Sequence, residues 1–185
     1  MIPFCRPWPP SVNLDARRAA VSRLYDLEMT EDGTETRRFR VVAEGRPRGG
    51  LSIGVPFEPS TAWGDRDQFH VHGTVGGKRF RGPLQETDGT WSLHLGPTWC
   101  RDPGFEPGDQ VDVVMGPEGP QSTTMGTDVA GVFASDPAAA RFFDSLPSFY
   151  RNNFARWLQG TKRPETRAKR IAELVDLARQ GKRER

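Results

Sequence analysis

The sequence predicts an α+β protein, a small β-barrel or sandwich followed by a C-terminal three-helix module. Three observations predict it. From Thr36 to about Gln121, apolar and polar residues alternate in short runs broken by Gly, Pro and Asp-Gly, the pattern of half-buried strands joined by tight turns. From about Asp128 onward the apolar spacing changes to three and four residues, the helical period. With 20 glycines and 16 prolines in 185 residues, the chain is rich in turns, which suits short strands better than long helices.

The candidate strands are residues 37–44, 50–55, 68–75, 78–86, 90–96 and 110–115. Two turns fix the register of the central ones. Gly76-Gly77 reads as a two-residue hairpin loop, because glycine accepts positive φ at both central positions. Pairing Val75 with Lys78 then sets Phe69 opposite Leu84 and Gly73 opposite Phe80. A second turn at Asp88-Gly89 pairs Thr87 with Thr90, which sets Leu84 opposite Leu93 and Gly82 opposite Leu95. In this register Phe69, Val71, Val75, Phe80, Leu84, Trp91, Leu93 and Leu95 share one face. His70, His72, Arg79, Arg81, Ser92 and His94 share the other. A slip of one residue in either turn would mix the two sets.

Residues 116–127, GPEGPQSTTMGT, read as a linker. Thr127-Asp128 caps a short turn over 128–134. Asp136-Pro137 starts the first helix, with an N-cap carboxylate followed by proline at the first helical position, and this helix reaches about Asp144. The second begins near Pro147 and stops near Gly160; Tyr150, Phe154, Trp157 and Leu158 form its apolar stripe, with Trp157 at the centre. The third runs from Pro164 to Gly181 and buries Ile171, Leu174, Val175 and Ala178. The barrel domain is thus 36–121 and the helical module 122–185. Residues 1–35 read as a loosely attached arm: MIPFCRPWPP is too rich in proline for regular structure, and residues 15–28 suit a short helix.

No apolar run approaches the roughly 20 residues of a membrane-spanning helix. The N-terminus also lacks the continuous apolar stretch of a signal peptide, so a cytoplasmic location is expected. Cys5 and Cys100 stand alone, without CxxC or Cys/His spacing, and read as reduced thiols. The net charge of +2 is unevenly spread. Residues 151–185 hold eight arginines and three lysines against four acidic side chains, a net +7, which leaves −5 on the first 150 residues. A basic end on a mildly acidic body suits an anionic partner, or is a solvated helix face.

The chain has no nucleotide-binding glycine loop, no nucleophile elbow and no zinc-protease motif. His70 and His72 point the same way from one strand, but His94 is two strands over, roughly 10 Å away at twice the strand spacing, and no third ligand is evident. Neither a metal nor a cofactor is expected, and the histidines read as solvated. Cys100 has Arg101 beside it but no histidine placed as a base. Asp65 and Asp67 sit in a charged turn. No catalytic residue is nominated, and the sequence favours binding over catalysis.

The residues that stand out are Lys162, Arg163, Arg167 and Arg170, at the start of the last helix. Arg167 and Arg170 lie one turn apart, where a guanidinium pair and free backbone N–H groups suit a phosphate or carboxylate. The structural alternative is that they tie the helix to the acidic barrel.

The stretch from about Asp136 to Lys182 resembles the bacteriocin-protection family, also called YdeI or OmpD-associated. The resemblance is carried by Asp136-Pro137, Phe143, Leu146-Pro147, the aromatic second helix, Lys162-Arg163-Pro164-Glu165-Thr166-Arg167 and Arg170-Ile171. Residues from about Arg38 to Met115 resemble the small β-barrel domain of unknown function that often precedes that module. Here the matching pieces are Val55-Pro56, HVHGTVGGKRFRGPL, the strand from Trp91 to Leu95, Arg101, and Gly108-Asp109 leading into VDVV. The resemblance implies a split β-barrel akin to AbrB/MazE-like barrels, and a role in bacteriocin or envelope-stress tolerance. Thr98-Trp99-Cys100 departs from it, standing where a Lys-rich strand end is expected. It implies no catalytic residues.

Three functions remain open at this level. The leading one is a non-catalytic cytoplasmic binding protein with an anionic protein or ligand as partner. The second is nucleic-acid binding by the basic helices, which imitate a helix-turn-helix unit, although Glu165, Glu173 and Asp176 interrupt the charge. The third is a small-ligand binder or enzyme that uses the barrel mouth.

Overall fold

The computed structural model describes residues 26–29 and 35–184, so Cys5 and most of the expected arm lie outside the described residues. The first part of the chain forms β1 (Asp26–Met29), β2 (Glu35–Val42), β3 (Glu44–Gly45), β4 (Leu51–Val55), α1 (Pro59–Trp63), β5 (His70–Val75), β6 (Lys78–Thr87), β7 (Thr90–Leu95), α2 (Pro97–Arg101) and β8 (Gln110–Pro117). The strands make one antiparallel sheet in the order β1-β2-β8-β5-β6-β7-β4-β3. β6 makes it curl. Its first part, through Pro83, pairs with β5, and its last part, from Leu84, pairs with β7. With β6 shared by both ends, β2 comes back against β4, and the sheet closes into a half-barrel around one core.

The expected register is observed. Gly76 and Gly77 both have positive φ, Val75 pairs with Lys78 and Gly73 with Phe80, and the Leu84 N–H donates to the Phe69 carbonyl. The Asp88-Gly89 turn pairs Thr87 with Thr90 and Leu84 with Leu93. The expected Gly82–Leu95 pair does not form. By that point β6 runs against β5, and Leu95 pairs instead with Leu51 of β4. The apolar face is buried as sorted, with Trp91 partly so. A run of rings, Phe39, Phe57, Trp63, Phe69 and Trp91, crosses one end of the half-barrel at centroid separations of 5.8, 5.3, 6.4 and 5.1 Å. α1 and α2 stand in segments read as connections. Each begins on a proline, where the missing N–H costs no helical hydrogen bond.

Upstream, Asp26–Met29 is a strand, with Leu27 opposite Arg37. The helix expected over 15–28 therefore does not extend through Asp26–Glu28. The open edge of β2 offers these residues a ladder of hydrogen bonds that a frayed helix end lacks.

The second part is α3 (Thr127–Ala134), α4 (Pro137–Ser145), α5 (Ser148–Gln159) and α6 (Pro164–Arg179). The expected turn over 128–134 is a two-turn helix whose Val129 and Phe133, four apart, are both buried. The module therefore has four helices rather than three. Its core is separate from that of the half-barrel: Phe133, Phe143 and Phe154 follow one another at 5.2 and 6.2 Å, packed on Ile171, Leu174, Val175 and Ala178 of α6. Asp136 caps α4 as expected, its carboxylate accepting from the Ala139 N–H at 3.0 Å and pairing with Arg179 at 2.5 Å. On α5 the buried line is Arg151, Phe154 and Leu158. Trp157, expected at its centre, is only partly buried at the edge.

Candidate binding cleft between barrel and helices

The half-barrel and the helical module meet through polar side chains. From the barrel come Arg66, after α1, His70 on β5 and Arg81 on β6. From the segment after β8 come Glu118, Pro120, Gln121 and Ser122. Asp144 on α4, with Ser148 and Arg151 on α5, complete the seam. Arg66 is buried, donates to Gln121 Oε1 at 2.8 Å and to the Trp63 carbonyl, and stacks over the Phe69 ring. Asp144 accepts from both the N–H and the hydroxyl of Ser122, each at 2.7 Å. Arg81 pairs with Glu118 at 2.5 Å and donates to the Ser148 hydroxyl, which itself donates to Glu118 at 2.9 Å. Arg151 is fully buried and reaches the Pro120 carbonyl at 2.8 Å. Burial pushes its guanidinium down to about 10, against the pull of Asp144.

Beside this seam opens a cleft of about 740 Å³. One wall is apolar, from Trp63, Ala130, Phe133, Pro137 and Phe142. Arg66, Ser122 and Asp144 form its polar side, and the Arg141–Asp67 ion pair, at 2.8 Å, joins module to barrel at its rim. The Asp67 N–H also donates to the Ser145 hydroxyl at 2.7 Å. A smaller cavity of about 420 Å³ lies at the barrel's end among Gly45, Arg46, Cys100, Arg101 and Phe105. Cys100 is buried there on α2.

His70, read from sequence as solvated, is half-buried because the helical module covers that part of the sheet. Its pKa lies below the ordinary histidine value, through burial first and the Arg151 charge second. His72 is exposed. His94 is held low by burial and Arg46, with Ser92 Oγ 3.2 Å from its Nε2. A pH prediction follows from His70. The folded protein holds the ring's pKa below its ordinary value, whereas the unfolded chain protonates it near pH 6.5. The His70 contribution is therefore complete above that pH and is lost as pH falls. Between pH 7.5 and 5.5, the thermal midpoint of the wild type should fall more than that of His70→Gln. Parallel midpoint-against-pH curves would assign the loss to other groups.

The four basic residues singled out in the sequence do not converge. Lys162 and Arg163 are exposed before and at the start of α6. Arg167 holds both oxygens of Asp128 on α3, at 2.5 and 3.0 Å, and reaches the Leu158 carbonyl at 3.3 Å. That pairing raises the Arg167 pKa and lowers that of Asp128. Arg170 donates to the Trp157 carbonyl and stacks over the Trp157 ring. Arg167 and Arg170 therefore tie α6 to α3 and to the C-terminal carbonyls of α5, not to the barrel. Of the seam residues, the sequence pointed only to His70 and Arg81, as members of the sheet's polar face. The available signal was Arg151, which shares the 3–4 spacing of Phe154 and Leu158.

Residues 123–181 match the family described as Bacteriocin-protection, YdeI or OmpD-Associated. Residues 40–115 match a domain of unknown function, DUF1905. The chain pairs a YdeI/OmpD-associated domain with a preceding DUF1905 domain. No curated protein matches the chain significantly. Glu118, Pro120, Gln121 and Ser122 thus belong to the short connection between the two matched domains. Arg66, His70 and Arg81 come from the DUF1905 domain, and Asp144, Ser148 and Arg151 from the YdeI/OmpD-associated domain. Among the described residues, no helix is long and apolar enough to cross a membrane, and no group of three or more His, Cys, Asp or Glu side chains is arranged to hold a metal ion.

Proposed function

We propose that this is a non-catalytic cytoplasmic binding protein, built from a barrel domain and a helical domain, whose ligand site is the cleft between them. Its role would be the bacteriocin protection for which the helical domain's family is named, or a related tolerance of envelope stress. The observation that carries this reading is the cleft itself: an apolar wall facing a polar side with a buried guanidinium, at a domain boundary. Cavities of this size and position suit a small molecule or a short peptide segment. Arg66 favours a ligand with an anionic group. Two of the cleft's three carboxylates are engaged, Asp144 on Ser122 and Asp67 on Arg141, and the third, Asp65, is exposed, which suits a binding site better than acid–base chemistry.

The test is to fill the cleft from its surface. Ala138 is exposed on the cleft lining, so Ala138→Trp adds bulk there without touching the core. Wild-type protein equilibrated with a cellular small-molecule extract should retain a ligand by native mass spectrometry. Ala138→Trp should fold normally and lose most of that ligand, at least about tenfold in affinity, or 1.4 kcal/mol. Equal retention by both proteins would move the site elsewhere, and no retained ligand on the wild type would reject the reading.

A further inference from the structure

Arg151 has more donors than the described residues satisfy. Its Nη1 donates to the Pro120 carbonyl. Its Nε and Nη2 are buried and have no hydrogen-bond partner among the described residues. These two N–H groups lie on one edge of the guanidinium, the edge that grips the two oxygens of a carboxylate in parallel. The same edge is used twice elsewhere among the described residues. Arg40 Nε and Nη2 hold the two oxygens of Asp112 at 2.7 and 3.0 Å, and Arg167 Nε and Nη2 hold those of Asp128 at 2.5 and 3.0 Å.

The local charge has the matching sign. The seam sets Arg66, Arg81 and Arg151 against Glu118 and Asp144. Glu118 is committed to Arg81 and Ser148, and Asp144 to Ser122. His70 beside them is held toward its neutral form, and Arg141 is neutralised by Asp67. Among these seam side chains one positive charge is therefore left over. A buried cation with unmet donors is costly, and an anion of single charge relieves both deficits at once.

We propose that the Nε–Nη2 edge of Arg151, which lies behind the cleft's lining, is an anion subsite that takes one carboxylate group of a ligand once the lining side chains Arg66 and Asp144 move aside. A carboxylate fits better than a phosphate because it is planar, carries one charge and matches the two-donor edge. The proposal rests on the cleft reading for its route of access.

The experiment uses the full chain, with acetate as the probe and chloride and inorganic phosphate as controls at constant ionic strength. The 15N-edited spectrum of the wild type reports the Arg151 Nε–H directly. Acetate should shift that signal saturably and raise the thermal midpoint, while chloride should do neither. Arg151→Lys, which keeps the charge but removes the two-donor edge, should lose at least tenfold in acetate affinity. Should that variant fail to fold, the wild-type spectrum still decides. An Arg151 signal that acetate leaves in place overturns the subsite, as does one that follows acetate, phosphate and chloride alike. The Ala138→Trp variant separates the two ideas, since acetate is far smaller than the cleft. Loss of the extract ligand with a retained acetate response supports the subsite. An extract ligand that depends on Ala138, combined with no acetate response, rejects the subsite and leaves the cleft.

Discussion

Replacing Phe143 with alanine should destabilise the protein by about 3–5 kcal/mol, the range for truncating a large buried aromatic. Phe143 has no exposed surface and sits in the middle of a three-ring run, 5.2 Å from Phe133 on α3 and 6.2 Å from Phe154 on α5. It therefore joins three helices at one point, beside Leu174 and Val175 of α6. The hole left by the ring cannot close easily. α4 is pinned at its start by the Asp136 cap and the Arg179 ion pair, and at its end by Asp144 on Ser122. The helical core is separate from the barrel core, so the loss should appear first in helical circular dichroism. A shift of roughly 10 °C in the helical transition is expected for a chain of this size. A loss under about 1 kcal/mol would show that the ring is not packed between these helices.

The parts of the fold that were legible in the sequence are those set by local chemistry. Gly76-Gly77 and Asp88-Gly89 each admit one tight turn, and once the turns are set, the alternation of Phe69, Val71, Val75, Phe80, Leu84 and Leu93 has one consistent register. The spacing of Ile171, Leu174, Val175 and Ala178 fixed the buried side of α6 in the same way. The seam was not legible, because its partners are distant in sequence: Arg66 finds Gln121 55 residues on, and Arg81 finds Ser148 after 67. A charged residue on a helix also reads as solvent-facing, which hid Arg151 on the buried line of α5. Arg167 and Arg170 show a second limit of spacing. Their i, i+3 spacing showed correctly that they share a face. It could not show that this face meets Asp128, 39 residues away, and the end of α5. Spacing tells which side chains travel together, whereas the partner depends on how the helices pack.

Gly73→Ala should be more damaging still, beyond about 4 kcal/mol, in the range that only a few mechanisms reach. Gly73 lies in the middle of β5, opposite Phe80 of β6 on one side and Met115 of β8 on the other. Its φ is +155°, where residues with a side chain are rarely found. A Cβ there would sit 1.9 Å from the Val114 carbonyl oxygen, 2.8 Å from its carbon and 3.1 Å from the Met115 Cα. All three are backbone atoms, so no rotamer change relieves the contact. β5 would have to part from β8, and the flanking Val71 and Val75, both fully buried, would be pulled from the core. Gly77→Ala is the control. Gly77 also has positive φ, +81°, but nothing lies within 4 Å of its Cβ position, so only the conformational cost of about 1–2 kcal/mol applies. In chemical denaturation Gly77→Ala should remain a folded, cooperative protein with a modestly lower midpoint. Gly73→Ala should be largely unfolded or insoluble, with the sheet signal lost. Equal midpoints for the two variants would mean that β5 and β8 do not approach as closely as the Val114 carbonyl requires.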